Sequence, residues 1–421
     1  MELTEYISHI EKNELKEVDL SPYGLELIPA EIFKFSWIEK LILGMFLNYK
    51  DYKFEGKRTC ELKYLQEELT ELTNLKSLAI SGGLFGTSKP QYTNFDILGK
   101  LSSLESLYIE STHLTHLNFL EQLVNLKDLQ LSFTEIIDYK PLENCTQLRS
   151  LTIGDNELTN IDFLKEFKNL EALSITTNEI TSLDSIKNNT KIKRLCVCKN
   201  PIEDYKALMK FTDLQYFCNG GKQSIEILSN NKNLVEFEPQ EIDQYGINKL
   251  SEFNQLNTVH IWNFVGDEID VSNLTSVENL QIYGEFKVVN GLENLKNLKS
   301  LHLSSKELGG LKIPYLETLV KIGIPGCPID NFDFYPDFNN VEELDIGSTQ
   351  INTLQPLEEI RKLKRLNCYN TLISSLKPIL HLIKEDFDIN FEGDNVPRKL
   401  QVYYDKNSNE GILNYYKEYD K

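Results

Sequence analysis

The stretch LRSLTIGDNELTNIDFL (148–164) contains one complete phrase. Apolar anchors stand at Leu148, Leu151 and Ile153, a small polar residue at Asn156, and further apolar residues at Leu158, Ile161 and Leu164. The phrase opens again at Leu104, Leu126, Leu170, Ile192 and Leu214, so six anchors stand 22 residues apart. A fixed period in the low twenties marks a solenoid, in which each turn packs only on its neighbours and one core runs along the stack. Inside the phrase the apolar residues alternate with variable ones, the period of a strand. Stacking then sets the strands side by side in a parallel sheet.

The phrase extends both ways. Upstream it opens at Leu15, Ile38 and Leu75; downstream at Leu234, Leu256, Val277, Leu298, Leu319, Val341 and Leu363, with a degenerate strand near Phe387, Ile389 and Phe391. About 16 or 17 turns result, at the spacing of leucine-rich repeats. The expected fold is a curved α/β leucine-rich-repeat solenoid, with the sheet on its concave face and short helical or 3-10 turns on its convex face. Asn118, Asp162 and Asp184 stand where helix caps would start those turns, and Pro141, Pro356 and Pro378 occupy a first-turn position. The ninth position of the phrase carries Thr112, Thr134, Asn156, Asn178, Asn200, Cys327, Thr349 and Thr371, small polar side chains suited to satisfying backbone groups where strand gives way to loop.

Bulk properties narrow the partners. The 421 residues carry a net charge of −20 and are 41% hydrophobic. That charge opposes binding to nucleic acid and to anionic membrane surfaces, both of which select clustered Lys and Arg. The opening MELTEYISHIEKNELKEVDL has no basic start followed by an apolar run, which predicts no secretory leader. No apolar stretch is long enough for a membrane span. The 7 cysteines lack the spacing of a disulfide framework, so reduced thiols and a cytoplasmic location are expected.

Three places break the rhythm. The steps Ile38 to Leu75 and Leu75 to Leu104 are 37 and 29 residues, which puts insertions at 44–65 and 81–95 on neighbouring turns. The first is basic and aromatic, with Tyr49, Lys50, Tyr52, Lys53 and Arg58 as a candidate binding lip. A third disturbance covers 216–247, where Pro239 takes the third apolar position and removes a ladder hydrogen bond, predicting an irregular turn that divides the solenoid into two arcs.

Motifs of catalysis are missing. Gly56-Lys57, Gly99-Lys100 and Gly221-Lys222 continue with Arg, Leu and Gln, so none is a phosphate-binding P-loop. There is no His-Glu-x-x-His and no Gly-x-Ser-x-Gly. Cys196, Cys198 and Cys218 fall on one patch of the strand face, the first two on one strand and the third beside Cys196 on the next. Such a patch suits a soft metal or a disulfide, yet a flat sheet presents ligands in a plane where zinc wants a tetrahedron. Unremarkable small side chains are the expectation, with no metal and no cofactor.

The third, fifth and seventh positions of each phrase point out of the core on the strand face. There Trp262 and Tyr283 share the seventh position of adjacent turns, His260, Gln281 and His302 run along the fifth, Tyr216 lies upstream and Tyr369 downstream. Large rings on such a face suit a protein or peptide partner, because they bury much area at small entropic cost.

The regular block resembles the 22-residue class of bacterial repeats found in internalins. ELKEVDLSPYGLELIPAEIFKFSWIEKLIL (14–43) looks like the opening repeats of bacterial leucine-rich-repeat proteins, through Leu25, Ile28, Pro29 and Ile32. GDNVPRKLQVYYDKNSNEGILNYYKEYDK (393–421) is similar to the junction after the repeats of bacterial Roco proteins, with Gly411 to Tyr416 as its helix. The resemblance implies a recognition or regulatory module that lacks the GTPase domain following in those proteins. The expected organisation is one solenoid over 1–391 and a C-terminal cap with a short helix over 392–421. The expected function is non-catalytic, a scaffold holding a protein or peptide on its concave face; the alternatives are the sensor arm of a larger Roco-like switch and a thiol redox or metal site at the three cysteines.

Overall fold

The computed structural model describes residues 1–48, 53–56, 62–82, 94–218, 222–228, 231–384, 386–393 and 395–419. Every phrase becomes a strand, and 17 strands form the parallel sheet. The returns between them are mostly 3-10 turns, so the fold is a leucine-rich-repeat solenoid. The chain divides into two compact units, Met1–Asn219 and Gly220–Lys421.

In the first unit, successive strands pair with the phrase in register: Leu107 lies beside Leu129, Leu129 beside Leu151, and Leu151 beside Leu173. The residues between them at the inward positions are fully enclosed, among them Leu107, Ile109, Leu131, Leu151 and Ile153 at 0% exposure. Apolar side chains of one turn pack on those of the next, so each phrase contributes to a core it shares with its neighbours. Asn118, Asp162 and Asp184 are the first residues of their 3-10 turns and not caps. Leu117, Ile161 and Leu183 precede the turns, and none offers a capping side chain. Pro141, Pro356 and Pro378 do fall in the first turn, where a missing N–H costs nothing.

The ninth position forms an asparagine ladder. Asn178 is buried; its Nδ2 donates to the carbonyl of Ile153 at 2.8 Å and its Oδ1 accepts from the Leu158 amide at 2.9 Å. Asn156 and Asn200 repeat the arrangement, donating to Leu131 and Ile175 at 2.7 Å. A second ladder runs on the edge of the turns. The second position carries charges of both signs, and its ion pairs join consecutive turns: Lys16–Glu39 at 2.6 Å, Glu39–Lys76 at 2.7 Å, Glu105–Lys127 at 2.7 Å and Glu171–Lys193 at 3.0 Å.

The second unit starts where the rhythm fails. Two α-helices, Lys222–Leu228 and Gln244–Leu250, replace 3-10 returns. Asp243 caps the second, accepting from the Gly246 amide at 2.9 Å. The strand Glu236–Glu238 stops just short of Pro239. The last strand, Asp388–Asn390, is followed by a 22-residue helix, Arg398–Tyr419. That helix buries Leu400 and Ile412, and its Tyr416 hydroxyl accepts from the Leu376 amide at 2.7 Å. Covering a terminal turn in this way keeps an open sheet edge from pairing with another chain.

Within the first insertion, Phe46–Asn48 pairs antiparallel with Lys53–Glu55, so the Lys53 backbone lies in a hairpin strand. Tyr49, Lys50, Tyr52 and Arg58 lie outside the described residues, as does most of 81–95. Among the described residues no helix is long and apolar enough to cross a membrane.

Candidate functional site

The candidate site lies on the strand face of the second unit. Strands Thr258–Phe264, Asn279–Gly284, Ser300–Ser304 and Lys321–Gly323 run in register, which lines up His260, Gln281, His302 and Gly323 at the fifth position. Pro239 cannot donate to the ladder, but its carbonyl still accepts from the Trp262 amide at 3.2 Å. Beyond that bond the register slips: Ile261 pairs with Ile282, and Phe264 with Gly284. The extra residue is a β-bulge, which turns Trp262 and Asn263 both outward and re-aims a side chain. Gly284 makes room for it, since a Cβ there would meet the Phe264 carbonyl at 2.7 Å.

The bulge leaves Trp262 53% exposed. Its indole stacks on Tyr283 at 5.7 Å between centroids and 12° between planes, and Tyr283 in turn meets His302 at 5.3 Å. Burial raises the Tyr283 hydroxyl's pKa, and the Asp345 carboxylate adds to that, so the ring stays neutral. Burial lowers the His302 pKa against the opposing pull of Asp345, and His260 lowers it further. His302 Nε2 has no hydrogen-bond partner among the described residues. The imidazole lies over Gly323, where a Cβ would come within 2.3 Å of Nδ1. A groove of about 570 Å³ runs past this bare position, lined along the fifth position by His260, Gln281, His302, Gly323, Asp345 and Asn367. Its rim is charged: Lys321 pairs with Glu343 at 2.6 Å, and Arg365 reaches Glu343 at 3.3 Å and Asp388 at 2.6 Å. An apolar ledge beside a polar, charge-rimmed trough offers one flat anchor and several directional hydrogen-bond sites.

The structure thus brings together Trp262, Tyr283, His302, Gln281 and His260. Tyr369 stands separately and does not line the groove; it is 45% exposed. Tyr216 belongs to the first unit and is not open to a partner. It is 1% exposed, because the Arg194 guanidinium covers its ring at 4.1 Å and Cys196 and Cys218 pack beside it. The bulge at Trp262 and the bare position at Gly323 escaped sequence reasoning. A glycine at a fifth position, directly across from a histidine, was the available signal for the second.

Among the described residues two clusters have the donor atoms for a metal. Glu236, Glu238 and His260 hold theirs within 4.8 Å of one another, with His260 Nδ1 3.4 Å from Glu238. The sulfurs of Cys196, Cys198 and Cys218 do the same. Here the expectation of reduced thiols is corrected, because Cys198 and Cys218 form a disulfide. The diagonal pair has its Cα atoms 6.0 Å apart, within the usual disulfide range.

No family model matches the chain, and no curated protein does. Among solved structures, the chain is similar to a leucine-rich-repeat protein of Leptospira interrogans, with a TM-score of 0.50 and 18% identity over 93% of this chain and 98% of that one. It is also similar to an internalin of Listeria monocytogenes, at TM-score 0.40 and 20% identity over 79% and 83% of the two chains. A plant peptide hormone receptor, solved in complex with its peptide, matches at TM-score 0.41 and 17% identity over 87% and 61%. The Leptospira likeness supports the fold and nothing finer.

Proposed function

We propose that the chain is a non-catalytic recognition module that holds a protein or peptide on the strand face of its second unit. The carrying observation is the Trp262–Tyr283 stack, an exposed aromatic ledge next to the groove over Gly323. Stacked rings that are already ordered lose little freedom on binding, the property of binding hot spots. In this reading Trp262 and Tyr283 anchor an apolar side chain of the partner. His260, Gln281 and His302 read its polar groups, and Tyr369 adds a separate aromatic contact. The basic lip with Tyr49, Lys50, Tyr52, Lys53 and Arg58 supplies a second contact, suited to acidic groups.

The test uses the wild-type chain and a Trp262→Ala/Tyr283→Ala double variant as baits, after circular dichroism has shown both equally folded. Proteins retained by the wild type and lost by the double variant are partners of this face. Identical capture by both baits rejects the assignment.

The second reading, a sensor arm of a Roco-like switch, draws on the helix Arg398–Tyr419, which carries the junction-like segment Gly411 to Tyr416 and docks it through Tyr416. It requires the reading frame to continue past Lys421 into a P-loop domain, which transcript sequencing decides.

A further inference from the structure

We propose that Cys196, Cys198 and Cys218 form a redox-gated site for a thiophilic cation of the zinc(II) type, shut by the Cys198–Cys218 disulfide and opened by reduction. The site lies in the first unit and is independent of the recognition reading.

Its geometry starts with register. Cys196 pairs directly with Cys218 across neighbouring strands. Cys198 lies two residues on, past the end of strand Arg194–Cys196, and is followed by Lys199 at φ 54°. Three ligands of a tetrahedron always share a plane, with the metal raised above it and the fourth position pointing away, so three thiols on one sheet face still leave room for a tetrahedral ion. Cys196 Sγ is 3.7 Å from Cys198 Sγ. Two thiolates bound to one zinc, each at about 2.3 Å and at a tetrahedral angle, stand ~3.8 Å apart. The third sulfur is within 4.8 Å of both.

The surroundings suit thiolates. Cys196 and Cys218 are 5% and 4% exposed, so water is largely kept out, while the half-buried Cys198 gives an ion its entry. Arg194 shares the outward side of the strand with Cys196 and holds its guanidinium over Tyr216. That positive charge offsets the net negative charge of a zinc ion with three thiolates, and a nearby cation favours the thiolate form. The fourth tetrahedral position faces solvent and takes water.

The chemistry balances. A dithiol reductant gives two electrons and two protons to the Cys198–Cys218 bond and becomes its own cyclic disulfide. The cation then displaces three thiol protons into solvent as three metal–sulfur bonds form. In the reverse direction a disulfide oxidant takes the two electrons and two solvent protons to become a dithiol, the Cys198–Cys218 bond re-forms, and Cys196 takes a third proton as the ion leaves.

The experiment uses the full chain, reduced with a dithiol, desalted without oxygen and titrated with cadmium(II), whose thiolate charge-transfer absorbance reports sulfur ligation. The expected result is a band that saturates at one ion per chain, is absent before reduction, and is displaced by zinc(II). Cys196→Ser removes a direct ligand and weakens binding by more than the roughly tenfold that loss of an outer-shell partner already costs. No band in the reduced protein, or an undiminished band in a Cys196→Ser/Cys198→Ser/Cys218→Ser variant, overturns the proposal. The variants are independently backed by alkylation of the reduced wild type followed by mass spectrometry. Bound cadmium protects Cys196, Cys198 and Cys218 and leaves Cys145, Cys327 and Cys368 unchanged; equal labelling of the three with and without the ion also overturns it.

Discussion

Trp262 lies face to face with Tyr283 across neighbouring strands, ring centroids 5.7 Å apart, although the two residues are not held in a regular register. The bulge sets the indole over the phenol ring, so the contact couples a backbone irregularity to a surface ledge. Stacked pairs contribute roughly 0.5–1.5 kcal/mol beyond their buried area. A double-mutant cycle with Trp262→Ala and Tyr283→Ala, read by denaturant unfolding, is expected to return a coupling of that size. Additive single effects would mean that the rings are only neighbours.

Gly323→Ala tests the floor of the groove. The new methyl would meet His302 Nδ1 at 2.3 Å and Cε1 at 2.9 Å, so the ring must leave Gly323 or the strands must part. Over-packing of this kind costs about 1–3 kcal/mol. The expected outcome is a loss of stability on that scale together with a chemical-shift change at Tyr283, which His302 touches at 5.3 Å. A variant as stable as wild type, with Tyr283 undisturbed, would show the position to be permissive.

The buried Nε2 of His302 predicts a pH dependence. Burial lowers the His302 pKa below its ordinary 6.5, with His260 adding to the shift and Asp345 opposing it. Below about pH 6.5 the unfolded chain therefore takes up a proton that the folded chain resists. Stability from this group is complete above the ordinary value, falls as the pH drops toward the lowered one, and levels off beneath it. Between pH 7.5 and 5, a range above the carboxylates, the wild-type unfolding midpoint should fall more than that of His302→Gln. Parallel pH profiles of the two proteins would refute this.

How far the sequence could be read follows from which relationships are periodic. The 17 strands of the parallel sheet were legible, down to the degenerate one at Ile389, because an inward apolar residue recurs at every turn and nothing else can fill the core. The charge ladder at Lys16, Glu39 and Lys76 obeys the same phrase numbering at its second position but was not read from it. The bulge was not, because one residue of slip is a backbone event that leaves the spacing of Ile261 and Phe264 looking like loop. The Cys198–Cys218 bond runs diagonally, whereas register alone puts Cys196 beside Cys218. Tyr216 looked like an exposed ring because its cover, Arg194, is a neighbour across the sheet and 22 residues away in the chain.

Asn178 should be costly to remove. It is 4% exposed, donates to Ile153 at 2.8 Å and accepts from Leu158 at 2.9 Å, joining successive turns. Asn178→Leu leaves that amide and carbonyl buried without it, and each such group costs about 1–3 kcal/mol. A loss of about 3 kcal/mol is expected by denaturant unfolding. Asn178→Thr should lose less, since Thr349 at the same position bonds a carbonyl of its own turn at 2.7 Å. Equal losses from Leu and Thr would mean that volume and not hydrogen bonding decides.

Glu39 supplies the acid-side counterpart. Its two oxygens take Lys16 at 2.6 Å and Lys76 at 2.7 Å, one from each adjoining turn. Hydrogen bonds from the two ammonium groups, led by Lys16, hold its carboxyl down from the ordinary 4.5 to about 2. A lowered carboxylate pKa means that the folded chain refuses a proton which the unfolded one accepts. The contribution is present above about 4.5 and is lost as the pH falls toward about 2. Because the group is still partly open to solvent, salt should weaken the effect. Side-chain carboxyl titration by NMR should find Glu39 among the last carboxylates to protonate. Glu39→Gln should flatten the acid limb of the stability profile at low salt and matter less at high salt. If Glu39 titrates near 4.5, the two lysines do not hold it as drawn, and the ladder is a feature of charge pattern alone.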